Sequence, residues 1–426
     1  YVDRYVPSSV KQLLKEDLDL SDAQSALPTT GMIAVYMVFA LVFGTLADKG
    51  LLDRRVLLCG GIVVWSLATS LAGVASDLFT LVLCRSLVGV GEAAYATIAP
   101  PMLGDFYPQR DRNTAYTFFY LAIPIGGAIG YGIGAVLGSS YGWRVAFYVC
   151  GLPGLCAAYA ILRCNDPPKG INDKTDGAAA GGAASAAKKT SFVKEMMEIL
   201  TNAHFMVATA GLICNSFAVG AIADWISTFL LRYDESPVAE AGIMVGGCTF
   251  VGGVLGNLLG SKTASFLEPR VKSAFFLAPA IYTLPAALFA CLAINVGSKW
   301  AAYACLLLAE IFMWTYIAPL STVSVSVIPA RLRSRSAGLQ IFLLHVLGDV
   351  ISPPITGAIS DATNSLRFAM QLTWIMLLLS GLCWFLGFLC LPPLPTGAEE
   401  HDKDNAEASS EESESTAASH EEEEEV

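Results

Sequence analysis

Charged side chains are scarce in this chain of 426 residues: 15% are Asp, Glu, Lys or Arg, whereas 54% are hydrophobic. A soluble protein of this length needs far more polar surface, because its core cannot enclose so much apolar side-chain area. The composition therefore excludes an ordinary soluble protein. It indicates a chain that is surrounded by lipid.

Metal-ligating patterns are also absent. Histidine occurs four times, and the eleven cysteines lie almost entirely in or beside apolar runs, with none at metal-ligand spacing. Such cysteines are typical of helix packing rather than of a disulfide framework or a zinc site. No motif combines a nucleophile, a base and an oxyanion site, so the sequence does not indicate an enzyme. We expect no metal, no cofactor and no nucleic-acid partner.

The net charge of −11 comes from the C-terminal end of the chain. After Pro395 there are thirteen acids and one lysine, so this segment carries −12 and the rest of the chain +1. A block of like charges among Ser and Ala has too little apolar surface to order itself. We predict that residues 393–426 form a disordered acidic tail in the cytoplasm, either with a solubilising role or as a signalling element.

Apolar runs long enough to cross a hydrocarbon core of ~30 Å recur along the chain, separated by loops rich in Gly, Pro or charge. They predict eleven complete spans, at residues 28–46, 56–75, 79–103, 115–137, 143–162, 205–231, 241–260, 274–296, 300–327, 337–359 and 368–391. We interpret residues 1–14 as the second half of a first span, followed by a loop. The intact protein is then expected to have twelve spans.

Basic residues orient the chain, because they are retained on the cytoplasmic side of short loops. One set of alternate loops, with the tail, holds eighteen Lys and Arg. The other set holds six: Lys11, Lys15, Arg144, Arg232, Lys299 and Arg367. Both termini and the central segment are therefore predicted to be cytoplasmic.

Residues 165–203 contain an Ala/Gly/Ser run followed by a short amphipathic stretch, which indicates a flexible linker. It separates a predicted N-terminal bundle, residues 1–164, from a C-terminal bundle, residues 204–392. The sequence Ile-Ala-Pro at 98–100 recurs at 317–319 in the equivalent span of the other half, with a proline and two arginines after each copy. This repeat predicts two six-helix bundles related by an axis along the membrane normal.

The fourth span carries Arg85 and Glu92, seven residues apart. Seven residues are about two helical turns, so both side chains project from one face, ~10 Å apart along the axis. Charges at that depth are costly unless they face a polar cavity and find partners. In the fifth span, small residues recur every four positions from Gly126 to Gly134, which predicts either ordinary tight helix packing or a sliding interface.

The loop after the second span resembles the loop motif of the major facilitator superfamily. The matching residues are Gly44, Asp48, Lys49, Arg54 and Arg55. In that motif the glycine permits close helix approach, and the charges clamp a helix end at the cytoplasmic face. Two extra residues separate Asp48 from the arginines here. Arg54 and Arg55 are therefore either part of a clamp or only anchors of a cytoplasmic loop.

Three blocks together resemble the Spinster family of major facilitator lipid transporters. They are the Asp3-Arg4 pair, the stretch 85–100 and the stretch 340–353, which contains His345. The similarity covers nearly the whole chain up to about Pro395. It implies an all-α membrane protein with the twelve-helix major facilitator fold, located in an endolysosomal or plasma membrane. It also implies alternating-access transport of lysophospholipids or sphingoid lipids such as sphingosine 1-phosphate.

By this resemblance, Asp3, Arg4, Arg85 and Glu92 form a charged cluster in which Glu92 is the candidate proton carrier. Two acids and two arginines at membrane depth neutralise one another, and protonation of one acid frees an arginine. A fixed ion-pair network that only joins helices is the alternative. Glu310, near the position that parallels Glu92 in the repeat, and His345 complete the candidate site, although His345 equally fits a packing role.

We expect helices 1, 4, 7 and 10 to line the cavity, and aromatic residues to contact the acyl chain: Trp225, Phe229, Trp314 and Tyr316. The expected partners are a lipid substrate, protons and the bilayer, and we expect a monomer. Two other functions stay open. One is transport of a small polar organic solute, because a fold does not determine a substrate. The other is a non-transporting scaffold or sensor.

Overall fold

The computed structural model describes residues 1–49, 52–107, 109–164, 166, 192–233, 236–329 and 332–392. This part of the chain is helical and contains no β-strand. Eleven helical segments of the described residues are long and apolar enough to cross a membrane, and each overlaps one of the eleven predicted spans. The protein is thus a multi-pass membrane protein. The predicted acidic tail and most of the predicted linker lie outside the described residues.

The helices before the linker are α1 (Val2–Ser9), α2 (Lys11–Asp17), α3 (Asp22–Lys49), α4 (Arg54–Ala72), α5 (Leu78–Phe106), α6 (Gln109–Tyr141), α7 (Trp143–Gly151) and α8 (Pro153–Arg163). Those after it are α9 (Phe192–Thr201), α10 (Ala203–Tyr233), α11 (Val238–Leu267), α12 (Ala274–Asn295), α13 (Lys299–Met313), α14 (Ile317–Ser326), α15 (Arg333–Leu344), α16 (Ser352–Thr363) and α17 (Leu366–Cys390). A 3-10 turn, Trp314–Tyr316, joins α13 to α14, and a π-helical turn, His345–Asp349, lies between α15 and α16.

Acidic residues define the start of two spans. Asp53 accepts a hydrogen bond from the backbone N–H of Arg55, and Asp77 accepts one from that of Thr80. Each carboxylate thereby satisfies a donor that the first helical turn leaves unpaired. The bond from Thr80 also lowers the pKa of Asp77, so this cap stays charged.

Consecutive spans run in opposite directions and so define two faces of the protein. One side of the protein holds the ends of α3, α5 and α8 and the start of α10, and we call this side the linker face. The far face is the opposite side, which holds α2 and the starts of α3 and α11. The loop charges predict that the linker face is cytoplasmic.

The helices before the linker pack mainly on one another, with α5 against α3 and α4, and α1 against α6. Those after it do the same, with α17 against α10 and α12. We call these groups the N-terminal and C-terminal bundles. They meet mainly along three helix pairs: α6 with α11, α3 with α16, and α1 with α10.

Two series of contacts between the bundles lie in the half of each span nearer the far face. Between α3 and the segment formed by the π-helical turn and α16, they run from the bond between Asp361 and the Asp22 backbone to the ring contact between Tyr36 and His345. On α6 and α11 they run from the far-face ends of the helices to Gly253, near the middle of α11. The structure is therefore closed at the far face.

The two faces of α6 take different roles. A Cβ atom at Gly130 would lie 2.4 Å from the carbonyl oxygen of Val2, so this glycine allows α1 to lie directly on α6. On the other face, a Cβ at Gly246 of α11 would lie 2.7 Å from the carbonyl oxygen of Ala128. The glycine stripe of α6 thus packs within its own bundle. The close approach between bundles depends instead on glycines of α11.

Candidate substrate and coupling site

The first part of the site lies where α1 meets α5. Nη1 of Arg4 is 3.8 Å from Oε1 of Glu92, a loose ion pair. The second oxygen of Glu92 is buried and has no hydrogen-bond partner among the described residues. The guanidinium of Arg4 also lies 5.9 Å from the ring centre of Tyr36. A carboxylate with one unoccupied oxygen beside a partly exposed arginine has room for a proton and for an anionic group.

Arg85 lies on the same helix as Glu92 but makes other contacts. Its side chain is fully buried, and its guanidinium donates to the backbone oxygen of Asp3 at 3.2 Å and approaches the sulfur of Met32 at 2.9 Å. The predicted cluster of four residues is therefore divided. Arg4 pairs with Glu92, whereas Arg85 ties α5 to α1 and α3.

The π-helical turn of the C-terminal bundle faces this pair. Nδ1 of His345 is 2.9 Å from Oδ1 of Asp349, and the His345 ring meets the Tyr36 ring edge-on at 6.1 Å. Turns of this type are frequent at functional sites. Tyr36 lies between Arg4 and His345, so it connects the two bundles at the site. Sequence reasoning missed Tyr36, since a tyrosine in an apolar run gives no distinct signal.

Glu310 lies in a different place, in a cavity between the bundles. Its side chain is 5% exposed, and its carboxylate accepts a hydrogen bond of 2.7 Å from the indole of Trp314. The cavity is small, with a volume of about 20 Å³. Tyr5 and Tyr131 of the N-terminal bundle also line it.

A buried ion pair joins the bundles at the far face. Lys11 of α2 contacts Asp224 of α10, and each side chain is 2% exposed. Asp224 also accepts hydrogen bonds from Ser8 at 3.2 Å and Thr29 at 3.1 Å, and the Lys11 ammonium lies 4.1 Å from the ring centre of Trp225. The interpretation of Lys11 as a loop residue was wrong. Its partner in the C-terminal bundle draws it into the interior.

Asp22 is the centre of a second group of contacts at the far face. It accepts hydrogen bonds from Arg232 at 2.7 and 2.8 Å, from Lys15 at 2.5 Å and from Ser360 at 2.6 Å. Asp361 in turn accepts from the backbone N–H groups at the start of α3, at 2.9 Å. We call these residues the far-face latch: Lys11, Lys15, Asp22, Asp224, Arg232, Ser360 and Asp361.

Arg54 forms a clamp at the linker face. Its guanidinium contacts Asp105 near the end of α5 at 2.5 Å and Asp166, beyond α8, at 2.6 Å, and the residue is only 6% exposed. Arg55 lies at the protein surface, pairs with Asp53 at 2.7 Å and donates to the carbonyl of Cys164 at 2.9 Å. These contacts favour the clamp over a simple charge anchor for Arg54.

The other residues of the loop motif are Gly44, Asp48 and Lys49. Their backbone belongs to α3. Their side chains lie outside what the structure describes.

The aromatic residues expected to contact the acyl chain divide into two groups. Trp225 and Phe229 are fully buried, and the indole of Trp225 donates to the carbonyl of Pro353 at 3.0 Å. They pack beneath the latch in this state. Trp314 lines the cavity beside Glu310, and Tyr316 stacks on Trp384 with ring centres 6.0 Å apart.

Comparison with known proteins places the chain in a family. A sequence model of the Major Facilitator Superfamily matches residues 1–348. Protein spinster homolog 1 of Xenopus laevis is 34% identical over 384 residues, which are 85% of this chain and 70% of the relative. The sphingosine-1-phosphate transporter SPNS2 of Danio rerio is 29% identical over 411 residues, 90% of this chain and 80% of that protein.

A solved structure shows the same fold. It is a crystal structure of a bacterial homologue of the human lysosomal transporter Spinster, in an inward-facing and unoccupied conformation. The TM-score is 0.80 at 22% identity, over 91% of this chain and 94% of that one. The predicted all-α major facilitator fold is thereby confirmed. The chain belongs to the Spinster family of the major facilitator superfamily and is a membrane transporter of that type.

Proposed function

We propose that this Spinster-type transporter moves single-chain lipids with a phosphate or other polar headgroup, and that protons drive the transport. The relative SPNS2 is named a sphingosine-1-phosphate transporter. Sphingosine 1-phosphate is a single-chain lipid with one phosphate. The present chain offers a cation, Arg4, at membrane depth next to an acid, Glu92. Around them, apolar helices suit an acyl chain.

The geometry of Glu92 carries this proposal. One carboxylate oxygen is 3.8 Å from Arg4, and among the described residues the other has no hydrogen-bond partner despite being buried. The oxygen without a partner is a position at which a proton can bind. Proton uptake by Glu92 then releases Arg4 toward a phosphate, and proton release restores the ion pair.

Alternating access requires the far face to open when the linker face closes. The far-face latch opposes that opening, because its charges come from both bundles. Proton and lipid binding at Arg4 and Glu92 are linked to the latch through α1, which carries Arg4 and leads directly into Lys11. A ligand shifts such an equilibrium only by its different affinity for the two states.

We propose that the protein is a monomer in which two bundles, residues 1–164 and 204–392, are joined by a linker at residues 165–203. The proposal also includes an endolysosomal or plasma membrane location, with the linker face in the cytoplasm. In an endolysosomal membrane, the acidic lumen supplies protons to the far face. The transport direction then follows from the proton gradient.

The test is uptake by liposomes that contain the purified protein. A panel of labelled lysolipids and sphingoid lipids is offered with and without an imposed pH gradient, and empty liposomes serve as the control. We expect accumulation of at least one single-chain lipid that increases with the gradient. Uptake of a small sugar or carboxylate instead would favour a polar-solute transporter. No uptake of any compound would favour the scaffold or sensor.

A further inference from the structure

The acidic segment near the C-terminal end of the chain begins at the linker face. The described residues end at Pro392, two positions after the end of α17. The carbonyl oxygen of Pro392 lies 2.9 Å from Nε2 of His204, at the start of α10. The thirteen acids that follow Pro395 are therefore attached to this side of the C-terminal bundle.

Three basic side chains lie exposed on the same side of the same bundle. Lys262 lies near the end of α11, and Arg270 and Lys272 lie in the turn between α11 and α12. None of the three forms an ion pair with another of the described residues. Glu268 is the one acid of this turn. We call Lys262, Arg270 and Lys272 the basic patch.

Arg270 is held in position while most of its donors stay available. Its guanidinium donates to the carbonyl of Phe266 at 2.5 Å and lies 3.9 Å from the centre of the Phe266 ring, which is 61% exposed. A guanidinium has five N–H donors, and this one makes no other hydrogen bond to the described residues. An arginine oriented by an aromatic ring loses less side-chain freedom when it binds a carboxylate.

The basic patch lies close to the point where the acidic segment leaves the bundle. A Cβ atom at Gly387, near the end of α17, would lie 2.9 Å from the ring of Phe276, and Phe276 is four residues after Lys272. Glu399 is seven positions after Pro392. An extended chain of seven residues spans about 24 Å, so even the first acids of the segment can reach the patch.

We propose that the acidic segment, residues 396–426, binds the basic patch of its own C-terminal bundle. Two observations select this occupant: the charges are opposite, and attachment at the same face of the bundle gives the segment a high effective concentration at the patch. Because both partners belong to the C-terminal bundle, the contact persists while the bundles move against each other. This inference goes beyond the proposed lipid transport and does not depend on it.

Crosslinking by a water-soluble carbodiimide tests the contact in the full chain. The reagent joins a lysine amine to a carboxylate that touches it, and mass spectrometry after digestion identifies the joined peptides. The protein is placed in nanodiscs of phosphatidylcholine, which has no net charge. We expect Lys262 and Lys272 to be joined to acids after Pro395, and about 0.5 M NaCl to lower the yield at least about fivefold, because salt screens exposed charges. Lys299 and Glu240, an ion pair at the far face, are the internal control for the reagent.

Arg270→Gln then localises the contact, because it removes a charge of the patch without removing a reactive amine. We expect it to lower the crosslink yield at Lys262 and Lys272 at least about twofold, as for loss of an exposed ion pair. Arg163→Gln is the matched control, since Arg163 is exposed on the same face of the N-terminal bundle, and it should leave the yield unchanged.

Two results in phosphatidylcholine would overturn the inference: no crosslink between the patch and the acidic segment, or the same yield in Arg270→Gln as in the wild type. The competing occupant of basic side chains at this face is the headgroup layer of anionic lipids. The crosslinks should therefore also be measured in nanodiscs that contain phosphatidylserine, where we expect them to persist. Their loss there would show that lipid headgroups occupy the patch, and this too would overturn the inference. None of these outcomes bears on lipid transport.

Discussion

Lys11 and Asp224 form an ion pair between the two bundles, with each side chain 2% exposed. A buried pair is favourable only when further hydrogen bonds replace lost water. Ser8 and Thr29 donate to Asp224, and the ring of Trp225 lies beneath the ammonium of Lys11. The pair thus links the closure of the far face to the position of α1.

The first prediction concerns the coupling between these residues. Lys11→Met or Asp224→Asn alone leaves an unpaired buried group, and we expect each to destabilise the far-face-closed protein by about 3–5 kcal/mol. The double variant should lose much less than the sum, because neither charge remains. Thermal unfolding in detergent measures all three variants. Additive losses would show that the residues act independently.

The second prediction compares two arginines at the far face. Arg232 bonds to Asp22 across the bundle interface, whereas Arg144 bonds to Asp17 within the N-terminal bundle. The bond from Arg144 lowers the pKa of Asp17, but both side chains are well exposed, so this pair adds little. We expect Arg232→Gln to open the far face and Arg144→Gln to have no such effect.

Opening of the far face is measured with a single cysteine, introduced by Ala26→Cys in a background without the native cysteines. Ala26 lies one helical turn after Asp22 on α3. Ala26 is fully buried in the closed state. Loss of a charged hydrogen bond is worth about 1.5–3 kcal/mol, so labelling by a membrane-impermeant thiol reagent should be at least about tenfold faster in Arg232→Gln. The same labelling rate in both arginine variants would remove Arg232 from the latch.

The apolar runs were sufficient to predict the eleven spans, because a helix that crosses the hydrocarbon core is recognised by its length and hydrophobicity. Partners of buried charges were not predictable in this way. Lys11 lies in a polar stretch with the pattern of a loop, and its partner is 213 positions away in sequence. Only the packing of α10 beside α1 reveals that this lysine is in the interior.

Helical spacing correctly placed Arg85 and Glu92 on one helix, but it did not give the direction of each side chain. Arg85 contacts Met32 and the backbone of Asp3, which have no charge signal in the sequence. Tyr36 was missed for a similar reason. In the sequence, an aromatic residue that lies between an arginine and a histidine looks like any other apolar residue of a span.

The third prediction uses adjacent glycines of α11. A methyl group at Gly246 would meet the backbone of Ala128 in the other bundle, whereas one at Gly247 would meet nothing within 4 Å. We expect Gly246→Ala to weaken the far-face closure and reduce the transport rate, and Gly247→Ala to resemble the wild type. Liposome uptake and labelling at position 26 measure both effects. If the two variants behave alike, close contact of α6 and α11 does not control the transport cycle.

The last prediction concerns Glu92 as the proton carrier. Glu92→Gln removes the charge and keeps the size and hydrogen-bonding capacity of the side chain. Arg4 then loses its partner at 3.8 Å and stays available to a phosphate at every pH. We expect lipid binding and downhill exchange to be partly retained, but accumulation driven by a pH gradient to be lost, because no proton is bound and released in the cycle.

Arg85→Ala separates coupling from structure, because Arg85 has no direct contact with Glu92 among the described hydrogen bonds and ion pairs. It removes the link from α5 to α1 and Met32, so we expect lower thermal stability with gradient dependence retained in the folded fraction. Uptake of labelled lysolipid is measured with and without a gradient for the wild type, Glu92→Gln and Arg85→Ala, normalised to folded protein. The same gradient dependence in the wild type and Glu92→Gln would contradict the proton-carrier role. Glu92 would then be a structural partner of Arg4, and the coupling acid would have to lie elsewhere in the protein.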